Sequence, residues 1–268
     1  MNLFAPFILA GYYIYNMRFC LPFLFFFSFI NVSLAQPSFL EFQKTYPKVV
    51  NAFKLREDTL KKQFEKAGLQ FPPKQLYIRS FKYDSQLEVW VKNELNEPFK
   101  LFKTYKVCAM AGSLGPKRME GDYQVPEGFY HLNEMNPRSM YNFSLGVNYP
   151  NASDKILSDS IKPGGDIYIH GNCITVGCIP ITDVPIEELY VLTAHAKNIG
   201  QDFIPIHIFP VRYSNPKSAA YLERIVKDET ELKQFNLSLK AAYDYFEAKR
   251  DLPLILVDKE GKYLVYVR

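Results

Sequence analysis

The sequence predicts an α+β fold that is β-rich in its middle, and three observations carry that prediction. Residues 38–68 place apolar side chains at helical spacing, residues 86–92 alternate apolar with polar side chains, and further strand-like runs flank a loop-rich centre. With 268 residues, 48% hydrophobic and 22% charged, the chain has material for a real core. Wholesale disorder and a multi-span membrane protein are both excluded by that balance. A net charge of only +4, with no long run of like charges, argues against a dedicated nucleic-acid binder.

The elements follow in chain order. Residues 1–35 hold one charge, Arg18, ahead of the apolar block Phe19 to Ile30, and Ser33-Leu34-Ala35 sets small residues before Gln36. This is the layout of a secretory signal peptide, the alternative being an uncleaved membrane anchor, and either one makes the rest an exported domain. The helical segment 36–74 carries Phe39, Phe42, Tyr46, Val49, Val50, Phe53, Leu60 and Phe64. Pro47 divides it into two helices, and Phe71-Pro72-Pro73 ends it. Strands are predicted at 75–81, 86–92 and 99–107. From 108 to 165 the chain is punctuated by Gly and Pro and reads as loop, which at such length signals function or disorder. A short strand returns at Asp166 to His170. A helix runs from about Pro185 to Asn198, with Thr182 or Asp183 as its cap and Gly200 as its stop. Phe203 to Phe209 is a strand with Ile204, Ile206 and Ile208 on one face. Residues 214–268 form an appendix: a helix near 230–248, expected to pack on the central domain, and a hairpin with strands at 254–257 and 262–267.

Reactive side chains concentrate in His170-Gly171-Asn172-Cys173-Ile174-Thr175-Val176-Gly177-Cys178. A cysteine attacks an acyl carbon as thiolate, so it needs an imidazole to take its proton and later return it to the leaving amine. His170 ends a strand, and the connection to Cys178 is long enough to fold back on it. Thr175 offers a hydroxyl, and Gly177 lets the backbone turn an N–H toward a developing oxyanion. Two other readings compete. His-x2-Cys-x4-Cys supplies acceptable zinc ligand types but lacks a second ligand pair. Cys173 and Cys178 also suit a small structural disulfide loop.

Ile169-His170-Gly171-Asn172-Cys173 followed by Val176-Gly177-Cys178-Ile179 resembles the active-site signature of the YkuD-type L,D-transpeptidase domain, and most closely its YafK-like branch, which shortens the gap between the His-Gly and Gly-Cys pairs. Gly115-Pro116-Lys117-Arg118, the segment Glu120 to Tyr130, Asn148-Tyr149-Pro150-Asn151 and His207-Ile208-Phe209-Pro210 look like the branch too, so the resemblance spans 75–213. It implies a β-rich catalytic domain of two packed sheets, Cys178 as nucleophile and His170 as base. Gly177 and Cys178 are then oxyanion amides, Thr175 stands for the usual Ser, and Gly171 helps to orient the turn. The implied substrate is the peptide stem of peptidoglycan, with a thioester passed to an amine or to water and no metal or organic cofactor. The family's Arg after Gly-Cys-Ile is Pro180 here; Lys117, Arg118 and Arg138 are the candidate replacements, and Lys117, Arg118 and Asn172 the candidate substrate contacts. A peptide hydrolase using the same pair, and an inactive peptidoglycan-binding module, are the alternatives.

Without the leader, three cysteines remain: Cys108, Cys173 and Cys178. A Cys108–Cys173 disulfide that leaves Cys178 free suits this count, although sequence leaves the connectivity open. Cys173 is the poorer nucleophile, lacking the preceding Gly and hydroxyl residue. Among the remaining candidates, His131 lines a cleft or lies on the surface of a strand, His195 is solvated and His207 is buried. Asp122 and Asp166 orient a substrate ammonium or serve as turn residues.

Overall fold

A computed structural model describes residues 37–267. The expected leader, residues 1–35, lies outside the described residues. Pro37–Arg268 forms one unit, so the helical lead-in, the central strands and the appendix share a single packed body.

Pro47 divides the lead-in as expected. Helix α1 (Phe39–Gln43) is closed by a capping box between Ser38 and Glu41, and α2 (Pro47–Lys66) begins on the proline, whose fixed φ suits a first turn. Strands β1 (Gln75–Phe81), β2 (Gln86–Lys92) and β3 (Lys100–Lys106) form an antiparallel meander. The stretch expected as loop, 108–165, is the main correction. It contains β4 (Gly128–Asn136), β5 (Ser144–Val147) and a short helix α3 (Ala152–Leu157). Glycine and proline flank these elements more than they interrupt them, and partner strands supply the pairing that local propensity does not. The chain continues through β6 (Tyr168–His170), β7 (Ile179–Pro180), α4 (Asp183–Asn198) and β8 (Pro205–Phe209). The appendix adds α5 (Pro216–Val226), which periodicity did not single out, then α6 (Thr230–Lys249) and the hairpin β9 (Leu254–Val257) and β10 (Tyr263–Tyr266).

Eight strands join in one curled sheet, ordered β3-β2-β1-β8-β4-β5-β6-β7. The two expected sheets are its two halves, which meet at β4, where the register shifts between Leu132 and Glu134. Because side chains alternate along each strand, the register assigns them to two faces. One face carries Ile78, Val89, Ile206, Leu132, Leu145, Ile169 and Ile179, all buried in the main core with residues of α2 and α4. The other carries Tyr77, Arg79, Phe81, Trp90, Phe129, His207 and Phe209 at one end, under the appendix. At its far end that second face presents His170, which lies across from Ser144 and Pro180.

Candidate active site

His170 is the last residue of β6, and Cys178 immediately precedes β7. The two strands run parallel with Ile169 opposite Ile179 and His170 opposite Pro180. Cys178 therefore sits one residue ahead of the strand that pairs with the His170 strand. Pro180 fits because β7 ends the sheet; its missing N–H breaks no ladder, and its carbonyl accepts the Cys108 N–H at 3.0 Å.

The imidazole is 2% exposed and packs against the ring of Tyr141, centroids 4.7 Å apart. Its Nδ1 lies 2.5 Å from the Gly171 carbonyl oxygen. A carbonyl only accepts, so Nδ1 is the protonated nitrogen and Nε2 keeps its lone pair, the tautomer a general base requires. Burial lowers the His170 pKa, against the opposing effect of that carbonyl bond, and keeps the ring neutral.

Cys178 is the free thiol among the described residues. Its Sγ accepts the Tyr168 N–H and donates to the Asp166 carbonyl, each at 3.4 Å, so at rest its hydrogen bonds go to backbone and not to the imidazole. Burial raises the thiol pKa; the Tyr168 N–H and the Lys117 charge pull it down, and Asp166 pushes it up. Both shifts favour the neutral thiol and the neutral imidazole over their charged forms.

The turn between the two residues is held by polar contacts. Thr175 Oγ1 accepts the Gly177 N–H at 3.0 Å and donates to the Cys178 carbonyl at 2.8 Å. This corrects the pair of oxyanion amides expected: Thr175 takes the Gly177 N–H, while the Cys178 N–H has no partner among the described residues. Gly177 has φ +144°, and a Cβ there would come within 3.0 Å of the Gln124 carbonyl oxygen, so both conformation and space require glycine. At Gly171 space alone decides, since a Cβ would lie 2.5 Å from the Tyr141 carbonyl oxygen and 2.6 Å from Asp183 Oδ1.

Of the two caps expected for α4, Thr182 takes the N-cap position. Asp183, the first residue of the helix, turns back, and its Oδ1 accepts the Asn172 N–H at 2.8 Å. Asn172 itself sits at φ +58°, with Oδ1 accepting the Cys173 N–H at 2.6 Å, which makes it a turn former where a substrate contact was expected. Cys173 is bonded to Cys108, Cα atoms 5.7 Å apart, so the turn is tied to the end of β3. That bond also removes Cys173 as a nucleophile, as a zinc thiolate and as a partner for Cys178.

The upstream basic residues separate. Lys117 is 5% exposed, and its Nζ reaches Asp122 Oδ1 at 2.5 Å and the Met119 carbonyl at 2.8 Å. Its charge still acts on the thiol. Asp122, bonded to Lys117 and to the N–H groups of Arg118, Met119 and Gln124, holds the loop together in the turn role expected of it. Arg118 turns away to Asp154 at 3.1 Å and is committed to α3, against its expected place at the thiol. Arg138 lies over the Tyr46 ring, on the lead-in. His195, expected in solvent, packs between Phe53 and Phe71 and bonds Glu57 at 2.8 Å. His207 is buried as expected, its Nδ1 2.9 Å from the Tyr77 hydroxyl. His131 is half-buried on β4 beside a cavity. Among the described residues, no group of three or more His, Cys, Asp and Glu side chains is placed to hold a metal, and no helix is long and apolar enough to cross a membrane.

No family model matches the chain. It is 34% identical over 192 residues to the protein named "Putative L,D-transpeptidase YafK" of Escherichia coli strain K12, covering 71% of this chain and 73% of that relative. The protein of the same name in Escherichia coli O157:H7 matches to the same extent. Among solved structures, the chain is similar to the helical cell shape determining protein Pgp2 from Campylobacter jejuni, with TM-score 0.41, 20% identity, and 69% of this chain and 73% of that chain covered. Bdellovibrio bacteriovorus Bd1075 gives TM-score 0.37 and 23% identity, over 65% of this chain and 63% of that one.

Proposed function

This chain belongs to the L,D-transpeptidase family through its YafK-like relatives, and from that premise we propose that it is an exported cysteine acyltransferase acting on peptidoglycan stem peptides in the cell envelope. The observation that supports the reading is the pairing of β6 with β7, because His170 ends the first strand and the free thiol Cys178 immediately precedes the second.

The chemistry follows from the protonation states. Rotation about the Cα–Cβ bond of Cys178 exchanges the Asp166 carbonyl for His170 Nε2. The imidazole then takes the thiol proton as Sγ bonds to the carbonyl carbon of the third stem residue. Negative charge grows on the carbonyl oxygen, and the Cys178 N–H is the available amide to meet it. The C–N bond breaks, His170 returns the proton to the leaving amine, and a thioester remains. An incoming amine or water, losing its proton to His170, displaces the sulfur. Transfer and hydrolysis share every step but this choice of acceptor. Lys117 supplies the positive charge near the thiol that Pro180 cannot.

Intact-protein mass spectrometry after incubation with a stem peptide is the test. Wild type gains the acyl mass and Cys178→Ala does not; added acceptor amine converts free acid into aminolysis product if the protein is a transferase. A wild-type chain that never gains acyl mass yet binds sacculi overturns the enzyme in favour of a binding module.

A further inference from the structure

The second face of the sheet also carries a cavity that takes no part in the chemistry above. It has a volume of about 580 Å³ and lies where the appendix meets β4 and β8, a size typical of small-molecule sites. In a chain with 22% charged residues, none of the lining residues is Asp, Glu, Lys or Arg. Its walls are aromatic and amide in character: Phe129 and His131 from β4, Phe203 ahead of β8, Asn148 after β5, Gln75 opening β1 and Leu254 from β9.

These groups select a ligand class. Phe203 is 60% exposed, and its ring lies 4.8 Å from that of His131 at an interplanar angle of 35°, a shallow aromatic shelf open to solvent. Asn148 Oδ1 accepts the His131 N–H at 2.6 Å, which aims the amide nitrogen away from that bond as a donor. A ligand matched to this lining is uncharged, has an apolar face to lay on a ring, and carries amide or hydroxyl groups at its edge. A stem peptide, with its carboxylates and free amine, would leave charges desolvated and unpaired here. The acetylated amino sugars of the same polymer would not.

Register also relates the cavity to the nucleophile. His131, Asn148, Ser144 and His170 share one face, and Asn136 pairs with Ser144, which pairs with His170. Five residues along β4 and two strand spacings across give about 20 Å between His131 and His170, measured along the sheet. Three extended stem residues reach only about 10 Å, so the cavity matches sugars further along the strand from the one that bears the reacting peptide.

We propose that this cavity is a subsite for the neutral N-acetylhexosamine strand of peptidoglycan, a reading that rests on the function proposed above. The test titrates chitotetraose into the full chain carrying Cys178→Ala, by calorimetry. Saturable binding is expected, weakened at least tenfold by Phe203→Ala or by Leu254→Asp, both exposed positions. Cellotetraose, which lacks the acetamido groups, binds at least tenfold more weakly. Absence of binding, indifference to both substitutions, or equal binding of cellotetraose overturns the subsite. Because this protein has no nucleophile, the titration is independent of acyl transfer. A wild-type chain that binds chitotetraose but forms no thioester with a sugar-free stem peptide sinks the enzyme reading and leaves the subsite standing.

Discussion

His207 and His170 occupy the same face of one sheet, both buried and both held neutral, yet they serve opposite ends. His207 lies among Tyr77, Phe129 and Phe209, under the appendix, and burial pulls its pKa down to about 3. Around it the covered end is a packed aromatic and ionic network. Arg79, 1% exposed, pairs with Glu88 and with Glu247 of α6, and its guanidinium lies over Trp90 and Phe246. His170 lies beyond the appendix, buried with the ring of Tyr141 tilted against it, at the start of the turn that leads to the free thiol of Cys178. The comparison teaches that two buried histidines on one face differ in their neighbours: aromatic rings enclose His207, and His170 borders the turn that leads to Cys178.

Exchanging damage between the two ends breaks the comparison if it is wrong. His170→Ala is expected to lower turnover of a stem peptide about 10²–10⁴-fold with little change in melting temperature. Glu88→Ala leaves the Arg79 charge buried without its main partner and is expected to cost about 3–5 kcal/mol while sparing turnover of the protein that stays folded. Denaturant melts and initial rates on both variants decide it. Activity lost in the second, or stability lost in the first, would mean that the two ends are not separate.

The disulfide gives a smaller, mixed effect, because it ties the reactive turn to the rigid end of β3. Paired Cys108→Ser and Cys173→Ser substitutions remove a crosslink across 65 residues and are expected to cost about 2–4 kcal/mol. They should also lower kcat more than they raise KM, since the turn that holds Cys178 loses its anchor. Unchanged kcat would make the bond purely a stabiliser.

pH sharpens the contrast most gently. Turnover requires a neutral His170, whose pKa burial has lowered, so kcat/KM should rise with pH through a midpoint below the ordinary imidazole value of 6.5. His207 acts on stability instead. Unfolded chains take up its proton near 6.5 whereas the folded chain resists to about 3, so stability is full above 6.5 and falls as pH drops toward 3. Replacing His207 with Asn should flatten the melting temperature between pH 7 and 5 without moving the rate profile. An acid limb of kcat/KM at or above 6.5 would contradict the buried, neutral base.

Much of the fold and site was legible because it is local. Pro47 divides the lead-in through its own ring, the alternation of Leu87, Val89 and Val91 marks a strand, and the cluster His170 to Cys178 marks the chemistry. The strands β4 and β5 were not legible: they pair with each other through a shifted register, and their outer edges are held by β8 and β6, far away in sequence. The contact that Asp183 makes was not legible for a related reason. An acidic residue opening a helix has a local explanation as a cap, and only the fold shows that the Asn172 N–H stands within its reach.

By itself, then, the sequence marked the cluster His170 to Cys178 as the candidate chemistry and most of the helices and strands outside 108–165, because composition and periodicity are properties of neighbouring residues. Tertiary structure alone decided that Cys173 is bonded to Cys108, that Thr175 takes the Gly177 amide, that Arg118 belongs to Asp154, and which end of the sheet face the appendix covers. Those outcomes depend on distances between atoms that chain order does not specify. Hydrogen bonds, disulfides and burial act over a few ångströms of space, whatever the separation along the chain.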